Sequence, residues 1–291
     1  MSRRRLPVGP KTLCGSLIVA LIAMLFLGYS VFHEPGQLVF REHALSPPGW
    51  PRSLDGLRIA LLADLHVGSP RNGVHRMRRL VEETNRQNAD LILLAGDFVI
   101  HGVVGGDRVE PDRIAAIFGG LRAPLGVYAV LGNHDWWDDS RRIQAVLEEN
   151  GIPVLDDRGL KLTWRGASFW MLGISDYQEG PHDYRRALAL VRDDAPVLAV
   201  THNPDVFPEL PPRIALTMAG HTHGGQVLLP GLGRPIVPSR YGQRYAIYHV
   251  IEEERHLFVT PGVGTSILPI RFRVPPEVSL LRLCSPAPPG K

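Results

Sequence analysis

The feature that most constrains this chain is a set of five short segments that each follow an apolar run. Their side chains include carboxylates, an amide and five imidazoles, which are groups that bind transition metals. The segments are Asp64-Leu65-His66, Gly96-Asp97, Gly132-Asn133-His134-Asp135, Thr201-His202-Asn203 and Gly220-His221-Thr222-His223. Because each apolar run is typical of a buried strand, we expect the segments to meet at one end of a sheet. The inventory suits two closely spaced divalent cations, with one histidine left for proton transfer.

The pattern of runs predicts one α/β domain over residues 56–285. In its first half, predicted strands at 57–63, 91–95 and 127–131 alternate with predicted helices at 74–87, 111–121 and 139–149. The second half is richer in strands, predicted at 161–164, 168–172, 196–200, 214–218, 245–251, 256–260 and 278–283, with a helix near 182–193. Residues 33–55, rich in proline and glycine, are predicted to be an extended linker without packed structure, and residues 286–291 a disordered tail.

A hydrophobic segment near the N-terminus predicts a membrane anchor. Residues 12–32 carry no formal charge. As a helix they would span roughly 31 Å at about 1.5 Å per residue, close to the ~30 Å hydrocarbon core. The basic segment 1–11, with Arg3, Arg4 and Arg5, should stay on the cytoplasmic side and place everything after Phe32 across the membrane. A cleaved signal peptide is the alternative, although no Ala-x-Ala site follows, and the arginines also resemble a twin-arginine export signal.

Charge and cysteine content argue against two other features. The formal net charge of +3 is concentrated in residues 1–11, which carry +4, so residues 12–291 carry about −1. A dedicated nucleic-acid partner is therefore not expected. The two cysteines, Cys14 and Cys284, are not expected to form a disulfide, because Cys14 lies inside the apolar segment.

The residue types indicate which cations the five segments would hold. Asp64 and His66 are two residues apart and can turn toward one point, and the carboxylate of Asp97 can bridge two metals. The other candidate ligands are the amide oxygen of Asn133 and the imidazoles of His202, His221 and His223. Mixed imidazole and carboxylate ligands favour Zn, Fe, Mn or Co over Ca. Glycines at positions 96, 132, 220, 224 and 225 let the backbone turn sharply and approach the site.

The order D-x-H, G-D, G-N-H-[DE], H and G-H-x-H is present in full over residues 57–225, and it resembles the calcineurin-like metallophosphoesterase superfamily. The anchor, residues 220–226 and residues 267–277 are similar to its membrane-associated bacterial branch, the YaeI- and YkuE-type phosphoesterases. The resemblance implies a four-layer α/β/β/α sandwich, preceded here by one N-terminal transmembrane helix. It implies one metal held by Asp64, His66, Asp97 and His223, and a second held by Asp97, Asn133, His202 and His221.

The same resemblance implies a hydrolase that attacks a phosphate ester with a hydroxide bridging two divalent cations, Mn, Zn or Fe. His134 is then expected to protonate the leaving group or stabilise the transition state, and Asp135 to orient His134 or a ligand. The protein is expected to cross the bacterial inner membrane once and to place its catalytic domain on the extracytoplasmic side. The expected substrate is an envelope or lipid-linked phosphate ester. The sequence does not decide whether the substrate is a monoester, a diester or a pyrophosphate, and it leaves the oligomeric state open.

Two alternative functions are compatible with the same motifs. A UDP-diacylglucosamine-type pyrophosphohydrolase would act at the cytoplasmic face, which requires the opposite topology to the one that the arginines predict. A catalytically inactive metal-binding scaffold would keep the fold without turnover. Such proteins typically lose ligands, whereas every ligand position is filled here.

Other polar and aromatic residues are assigned structural or exposed roles. His101 is the nearest of the remaining histidines to a candidate ligand, and Trp136 and Trp137 are expected to form a rim or core aromatic pair. Arg271 and Arg273 alternate on an extended segment, which predicts a solvated strand face. Arg240 and Tyr241 follow the last motif and are left as open candidates for substrate contact.

Overall fold

The computed structural model describes residues 10–286, and the strands of this part form two β-sheets. The strands are β1 Val39–Leu45, β2 Arg58–Leu62, β3 Leu91–Ala95, β4 Val127–Val130, β5 Arg158–Trp164, β6 Ala167–Ile174, β7 Val197–Thr201, β8 Leu216–Ala219, β9 Tyr248–Glu252, β10 Arg255–Val259 and β11 Glu277–Leu283. The helices are α1 Pro10–Gly28, α2 Val74–Arg86, α3 Pro111–Phe118, α4 Asn133–Trp137, α5 Ser140–Glu149 and α6 Tyr184–Leu188. The first sheet has the order β1-β11-β2-β3-β4 and the second β5-β6-β7-β8-β10-β9.

The central strands are apolar along their whole length because both of their faces are buried. In β2, Ile59 and Leu61 pack between the two sheets, whereas Ala60 and Leu62 point to the opposite face. Successive side chains of a strand point to opposite faces, so a strand covered on both sides needs a continuous apolar run. The predicted strands at 57–63 and 91–95 are confirmed as β2 and β3.

Helices cover the outer faces of both sheets. Helices α2, α3 and α5 contribute Met77, Leu80, Ile114 and Leu147 to the core on the outer face of the first sheet. On the outer face of the second sheet, Tyr184 and Ala187 of α6 pack against its strands. The α/β fold with two sheets between helical layers is confirmed, as are the predicted helices over 74–87, 111–121 and 139–149, within a few residues at their ends.

The parallel strands of the two sheets end close together. Strands β2, β3 and β4 are parallel, and so are β6, β7, β8 and β10. The ring nitrogen Nδ1 of His202, which directly follows β7, lies 2.7 Å from the carbonyl oxygen of Ala95 at the end of β3. The carboxyl ends of both sheets therefore meet at one edge, where α/β folds place their ligands.

One helical stretch of the described chain, Cys14–Gly36, is long and apolar enough to cross a membrane. Its side chains from Leu17 to Leu27 are mostly more than half exposed on the protein, so the protein itself leaves this apolar surface uncovered. The predicted basic segment 1–11 and tail 286–291 lie almost entirely outside the described residues. Cys14 and Cys284 are free, as expected.

The expectation that residues 33–55 form an unpacked linker is wrong for residues 39–45. These residues form β1, which pairs in parallel with β11 from Val39–Glu277 to Leu45–Leu283. Trp50 and Leu54, further along the same stretch, are buried between the two sheets. The domain limits at residues 56 and 285 stay predictions, and β1 adds a strand to the first sheet from outside them.

Candidate metal centre

The predicted ligands all lie just beyond the carboxyl ends of parallel strands. Asp64 follows β2, Asp97 follows β3, Asn133 follows β4, His202 follows β7, and His221 follows β8. The full set, with His66 and His223, is buried. The structure therefore brings together every residue that the sequence assigned to metal binding.

The backbone of several of these residues adopts an uncommon conformation. Asp64, Asp97 and His221 have φ angles of 52°, 57° and 69°. His66 and His223, with φ angles of 36° and 52°, share this left-handed region, which residues other than glycine seldom adopt. Such strain is kept where the surrounding structure holds it, and it clusters at functional sites.

One group of side chains combines two carboxylates with two imidazoles. Asp64, His66, Asp97 and His223 each offer one ligand atom, and these four atoms lie within 4.8 Å of one another. Nε2 of His66 lies 3.1 Å from Nε2 of His223 and 3.4 Å from Oδ2 of Asp97. Nε2 of His223 lies 3.3 Å from Oδ1 of Asp64. These separations suit four atoms arranged around one cation.

A second group shares Asp97 with the first. The ligand atoms of Asp97, His202 and His221 also lie within 4.8 Å of one another. Nε2 of His202 is 3.3 Å from Oδ2 of Asp97, the same oxygen that faces His66, and 3.1 Å from both Oδ1 of Asn133 and Nδ1 of His221. The two groups are therefore adjacent, and Asp97 lies between them.

The chemistry of these atoms fits cations, because the atoms that converge are hydrogen-bond acceptors. A carbonyl oxygen can only accept, so Nδ1 of His202 donates to Ala95 and Nδ1 of His66 faces Val99 in the same way, at 3.3 Å. When these rings are neutral, their Nε2 atoms are left with lone pairs that point at carboxylate or amide oxygens. A positive charge at this place, either a proton on His202 or a bound cation, offsets the repulsion between these lone pairs and the neighbouring oxygens. We call these seven residues the acceptor cluster: Asp64, His66, Asp97, Asn133, His202, His221 and His223.

Burial keeps most of the imidazoles of the acceptor cluster neutral. It lowers the pKa of His66 and of His221 to about 3, and that of His223 well below its usual value. Only the neutral imidazole has a lone pair for a metal. These three rings are consequently ligands without a competing proton at neutral pH.

Asp97 is the anionic centre of the cluster. Burial alone would raise the pKa of Asp97, but His202, His134 and His66 around the carboxylate hold it well below its usual value. The pKa of His202 is raised to about 10 although burial opposes it, because Asp97 and Asp64 lie close to the ring. The same negative charge that attracts a proton to His202 attracts a divalent cation to this place.

Asp135 supports the ligand Asp97 and makes no hydrogen bond to the His134 ring. Its carboxylate accepts backbone N–H groups of Asp97, Phe98 and Gly132 at 2.9 Å each. Four such bonds, with Val99 as the fourth at 3.2 Å, fix the turn that follows β3. Of the two roles that the sequence leaves open for Asp135, this geometry favours orientation of a ligand.

His134 lies beside the acceptor cluster without joining either ligand group. Its ring centroid is 4.6 Å from that of His66, and its Nδ1 has no hydrogen-bond partner although the residue is buried. Trp137, about half exposed, covers the ring at 4.9 Å, and exposed His101 lies further out at 6.3 Å. An imidazole placed in this way can donate a proton to a group bound over the cluster.

Two glycines behind the cluster were not expected from the sequence. A Cβ on Gly262 would lie 2.6 Å from Cβ and Oδ2 of Asp64, and one on Gly264 would lie 2.8 Å from Cβ of His66. Both follow β10, so the pattern of an apolar strand followed by glycine could have identified them. They leave room for the two ligands of the D-x-H segment.

The expectation that Arg271 lies on a solvated strand face is wrong. Arg271 is fully buried, whereas Arg273 is exposed as expected. The Arg271 guanidinium donates to the carbonyls of Pro261, Gly262 and Gly264 at 2.8, 3.2 and 2.6 Å. Arg271 thereby holds the loop that contains Gly262 and Gly264, which we call the glycine loop, against Asp64 and His66.

We predict that Gly262→Ala weakens metal binding by roughly tenfold or more, as changes behind ligating residues do. The added methyl group would collide with Asp64, and the φ of +69° adds an unfavourable left-handed conformation of about 1–2 kcal/mol. Gly231→Ala is the matched control, because Gly231 has a φ of +76° and no atom within 4 Å of an added Cβ. The two variants share the cost of the left-handed conformation, and Gly262→Ala should lose more stability in denaturant unfolding because of the added collision. Equal metal affinities of the two variants would contradict the role of Gly262.

Comparison with known proteins agrees with this geometry. The sequence profile of the calcineurin-like phosphoesterases matches residues 57–225. The chain is 27% identical over 290 residues to the metallophosphoesterase YkuE of Bacillus subtilis, with 98% of each protein covered. It is 30% identical over 264 residues to the phosphodiesterase YaeI of Escherichia coli, covering 88% of this chain and 92% of that protein. A transmembrane protein with a metallophosphoesterase domain from Danio rerio is 29% identical over 248 residues, which cover 79% of this chain and 53% of that protein.

Proposed function

The chain belongs to the calcineurin-like phosphoesterase family, and we propose that it hydrolyses a phosphate ester of the cell envelope with two divalent cations held by the acceptor cluster. The observation that carries the proposal is the position of Oδ2 of Asp97, which lies 3.4 Å from Nε2 of His66 and 3.3 Å from Nε2 of His202. One carboxylate oxygen thus faces a ligand from each of the two groups. A shared carboxylate is how paired metal sites hold two cations close together.

The cations, when bound, supply Lewis acidity toward a phosphoryl oxygen and lower the pKa of water enough to provide a nucleophile at neutral pH. The protein supplies position and charge. Asp97 lies between the groups, and Asp135 fixes its backbone through the bond from the Asp97 N–H at 2.9 Å. Because the acceptor cluster is buried, electrostatic interactions inside it are stronger than they would be at the surface.

We assign His134 to the leaving group. Burial lowers the pKa of His134, so its ring is neutral at pH 7 and carries one N–H that can be donated. The backbone N–H of His134 donates to Oδ1 of Asp97 at 3.0 Å, which fixes the residue relative to the shared carboxylate. The N–H of the neutral ring can stabilise the negative charge that develops on the leaving oxygen, and in its imidazolium form the ring can transfer a proton to that oxygen as the P–O bond breaks.

The apolar stretch Cys14–Gly36 supports a single-pass anchor in the bacterial inner membrane. The arginines at positions 3–5 favour a cytoplasmic N-terminus and an extracytoplasmic catalytic domain. An enzyme held in this way can reach phosphate esters of the envelope, including lipid-linked ones. Reporter fusions after Phe32 and after Leu283 test the topology, and a cytoplasmic signal from both would favour the UDP-diacylglucosamine-type reaction instead.

The decisive experiment is a substrate panel with elemental analysis of the same preparation. The panel contains an aryl phosphate monoester, an aryl phosphodiester, phospholipids and a UDP-linked lipid, each with protein loaded with Mn, Zn or Fe. We expect about two metal ions per chain and turnover of at least one phosphate ester. Full metal loading without turnover of any substrate would contradict the proposed function.

A further inference from the structure

The hydrophobic stretch Cys14–Gly36 is packed on the catalytic domain at its C-terminal end. The ring of Phe26 lies 4.5 Å from that of Phe272, and Tyr29 meets the same ring edge-on at 6.2 Å. The N–H of Arg271 donates to the carbonyl of Ser30 at 2.9 Å, and the N–H of Val274 donates to buried Glu34 at 2.6 Å. These contacts fix the orientation of the hydrophobic stretch relative to the domain.

The segment that receives the helix also touches the metal centre. Through its side chain, Arg271 holds Gly262 and Gly264, which lie against Asp64 and His66. In the sequence, fewer than ten residues separate Gly262 and Gly264 from Phe272, where the hydrophobic stretch is attached. The metal centre therefore lies on the side of the domain to which the hydrophobic stretch is attached.

The loops around this side carry exposed apolar residues, which we call the apolar rim. They are Val104, Leu232, Ile236, Ile267 and Leu268, with exposed fractions of 58, 77, 75, 68 and 49%. These residues come from the loops that follow β3, β8 and β10, the same strands that deliver Asp97, His221 and the glycine loop. Several exposed apolar residues grouped in this way mark a surface that contacts a membrane or another protein.

Hydrogen bonds from the Gln226 side chain and from the backbone hold the apolar rim together beside the last metal ligand. Gln226, three residues after His223, donates to the carbonyls of Ser266 and Leu268 at 3.2 and 3.3 Å. The N–H of Val104 donates to the carbonyl of Ile267 at 2.9 Å. The carbonyl of Ile236 lies against Gly225, where it would be 2.9 Å from an added Cβ. The rim is therefore attached directly to the metal-binding loops.

Two features of Ile267 raise the free energy of the protein in water. Its φ of 60° is a conformation that β-branched residues rarely adopt. Its side chain is 68% exposed, so packing within the protein does not offset that conformation. Insertion of the Ile267 side chain into an apolar phase would lower the free energy and offset the cost of that backbone conformation.

Cationic side chains lie next to the apolar surface. The Arg71 guanidinium lies 5.3 Å from the centroid of the exposed Phe32 ring. Arg234 donates to the carbonyl of Gly224 at 2.8 Å, and exposed Arg273 directly follows Phe272. Arginines beside exposed apolar residues suit the boundary between acyl chains and phospholipid headgroups.

We propose that the apolar rim is seated in the same membrane leaflet from which the hydrophobic stretch emerges, so that the metal centre opens toward lipid headgroups. The occupant of this surface is the bilayer, because the rim continues the apolar surface of the helix attached at Phe272. The inference rests on the proposed function for the reaction, and it narrows the substrate to phosphate esters held at the membrane surface.

The depth of the rim can be measured without reference to activity. The full chain with Cys14→Ser and Cys284→Ser receives Leu268→Cys or, as the matched control, Arg165→Cys, and is labelled with an environment-sensitive fluorophore. Arg165 is exposed at the turn before β6, at the opposite end of the second sheet. In vesicles of phosphatidylethanolamine and phosphatidylglycerol with acyl-chain doxyl lipids, we expect several-fold stronger quenching at position 268. Equal quenching at both positions overturns the proposal.

A kinetic test separates the rim from the chemistry. Ile267→Asp with Leu268→Asp should lower hydrolysis of a headgroup phosphodiester in vesicles by roughly tenfold or more, with turnover of a soluble aryl phosphodiester unchanged. Ile251→Asp is the control, since Ile251 is 59% exposed on β9 and pairs with the first half of β10, away from the metal centre. Equal loss on both substrates would assign the rim a structural role and overturn the proposal. If the parent protein hydrolyses no phosphate ester, the proposed function fails, and the quenching comparison still decides the position of the rim.

Discussion

Replacement of Asp97 by asparagine is expected to lower kcat/KM by a factor of roughly a thousand or more. Electrostatic stabilisation by metal ions contributes several kcal/mol to such reactions, and each 1.36 kcal/mol corresponds to about tenfold in rate. The change keeps the shape of the side chain but removes the charge at the oxygen that faces His66 at 3.4 Å and His202 at 3.3 Å. Both cation positions lose their common ligand, so we expect loss of metal as well as of turnover.

The measurement is metal content per chain by elemental analysis, together with kcat/KM on an aryl phosphodiester. Asp205→Asn is a suitable control, because Asp205 is also buried but accepts from Ser239 and from the backbone of Arg240, outside the acceptor cluster. The control should keep its metal and its activity. Full metal content in Asp97→Asn would show that Asp97 does not hold the cations.

Much of the site could be predicted because each ligand directly follows a strand that is buried on both faces. Such strands are continuous apolar runs, so a polar residue at the end of one is conspicuous in the sequence. Asp64 after β2 and Asp97 after β3 were identified in this way. Parallel strands then bring their carboxyl ends to one edge, and the structure places the predicted ligands there.

The edge strand β1 could not be predicted because its partner is remote in sequence. Residues 39–45 alternate apolar and polar side chains only weakly and are preceded and followed by prolines. Their backbone partner is β11, more than two hundred residues later. Pairing between distant segments leaves no local periodicity to read, so this stretch resembled a connector.

The burial of Arg271 depends on contacts that a local pattern does not contain. Buried arginines are rare unless their charge is compensated. Here the guanidinium is surrounded by the carbonyls of a loop that starts ten residues earlier, and by that of Val274 at 3.0 Å. Only the folded path of residues 260–276 brings those carbonyls together. In the sequence the same arginine, spaced two residues from Arg273, is typical of an exposed strand.

His134→Asn is expected to lower kcat by roughly 10²–10⁴, the usual contribution of a positioned proton donor, while metal content stays unchanged. The ring lies 4.6 Å from the His66 ring but belongs to neither group of converging ligand atoms. Its backbone bond to Asp97 does not involve the side chain, so the substitution leaves that contact intact. The loss should be smaller for aryl esters with acidic leaving groups, because a stable leaving anion needs less protonation.

The control for His134 is His101→Asn, which removes an exposed imidazole whose ring centroid lies 6.3 Å from that of His134. Loss of turnover in both variants would indicate a general effect on the residues that surround the metal centre. Loss of metal in His134→Asn to the same extent as of activity would move His134 into the ligand set. Loss of kcat in His134→Asn alone, steepest for poor leaving groups and with full metal content, is the result that a proton donor requires, since a ligand would fail with every substrate alike.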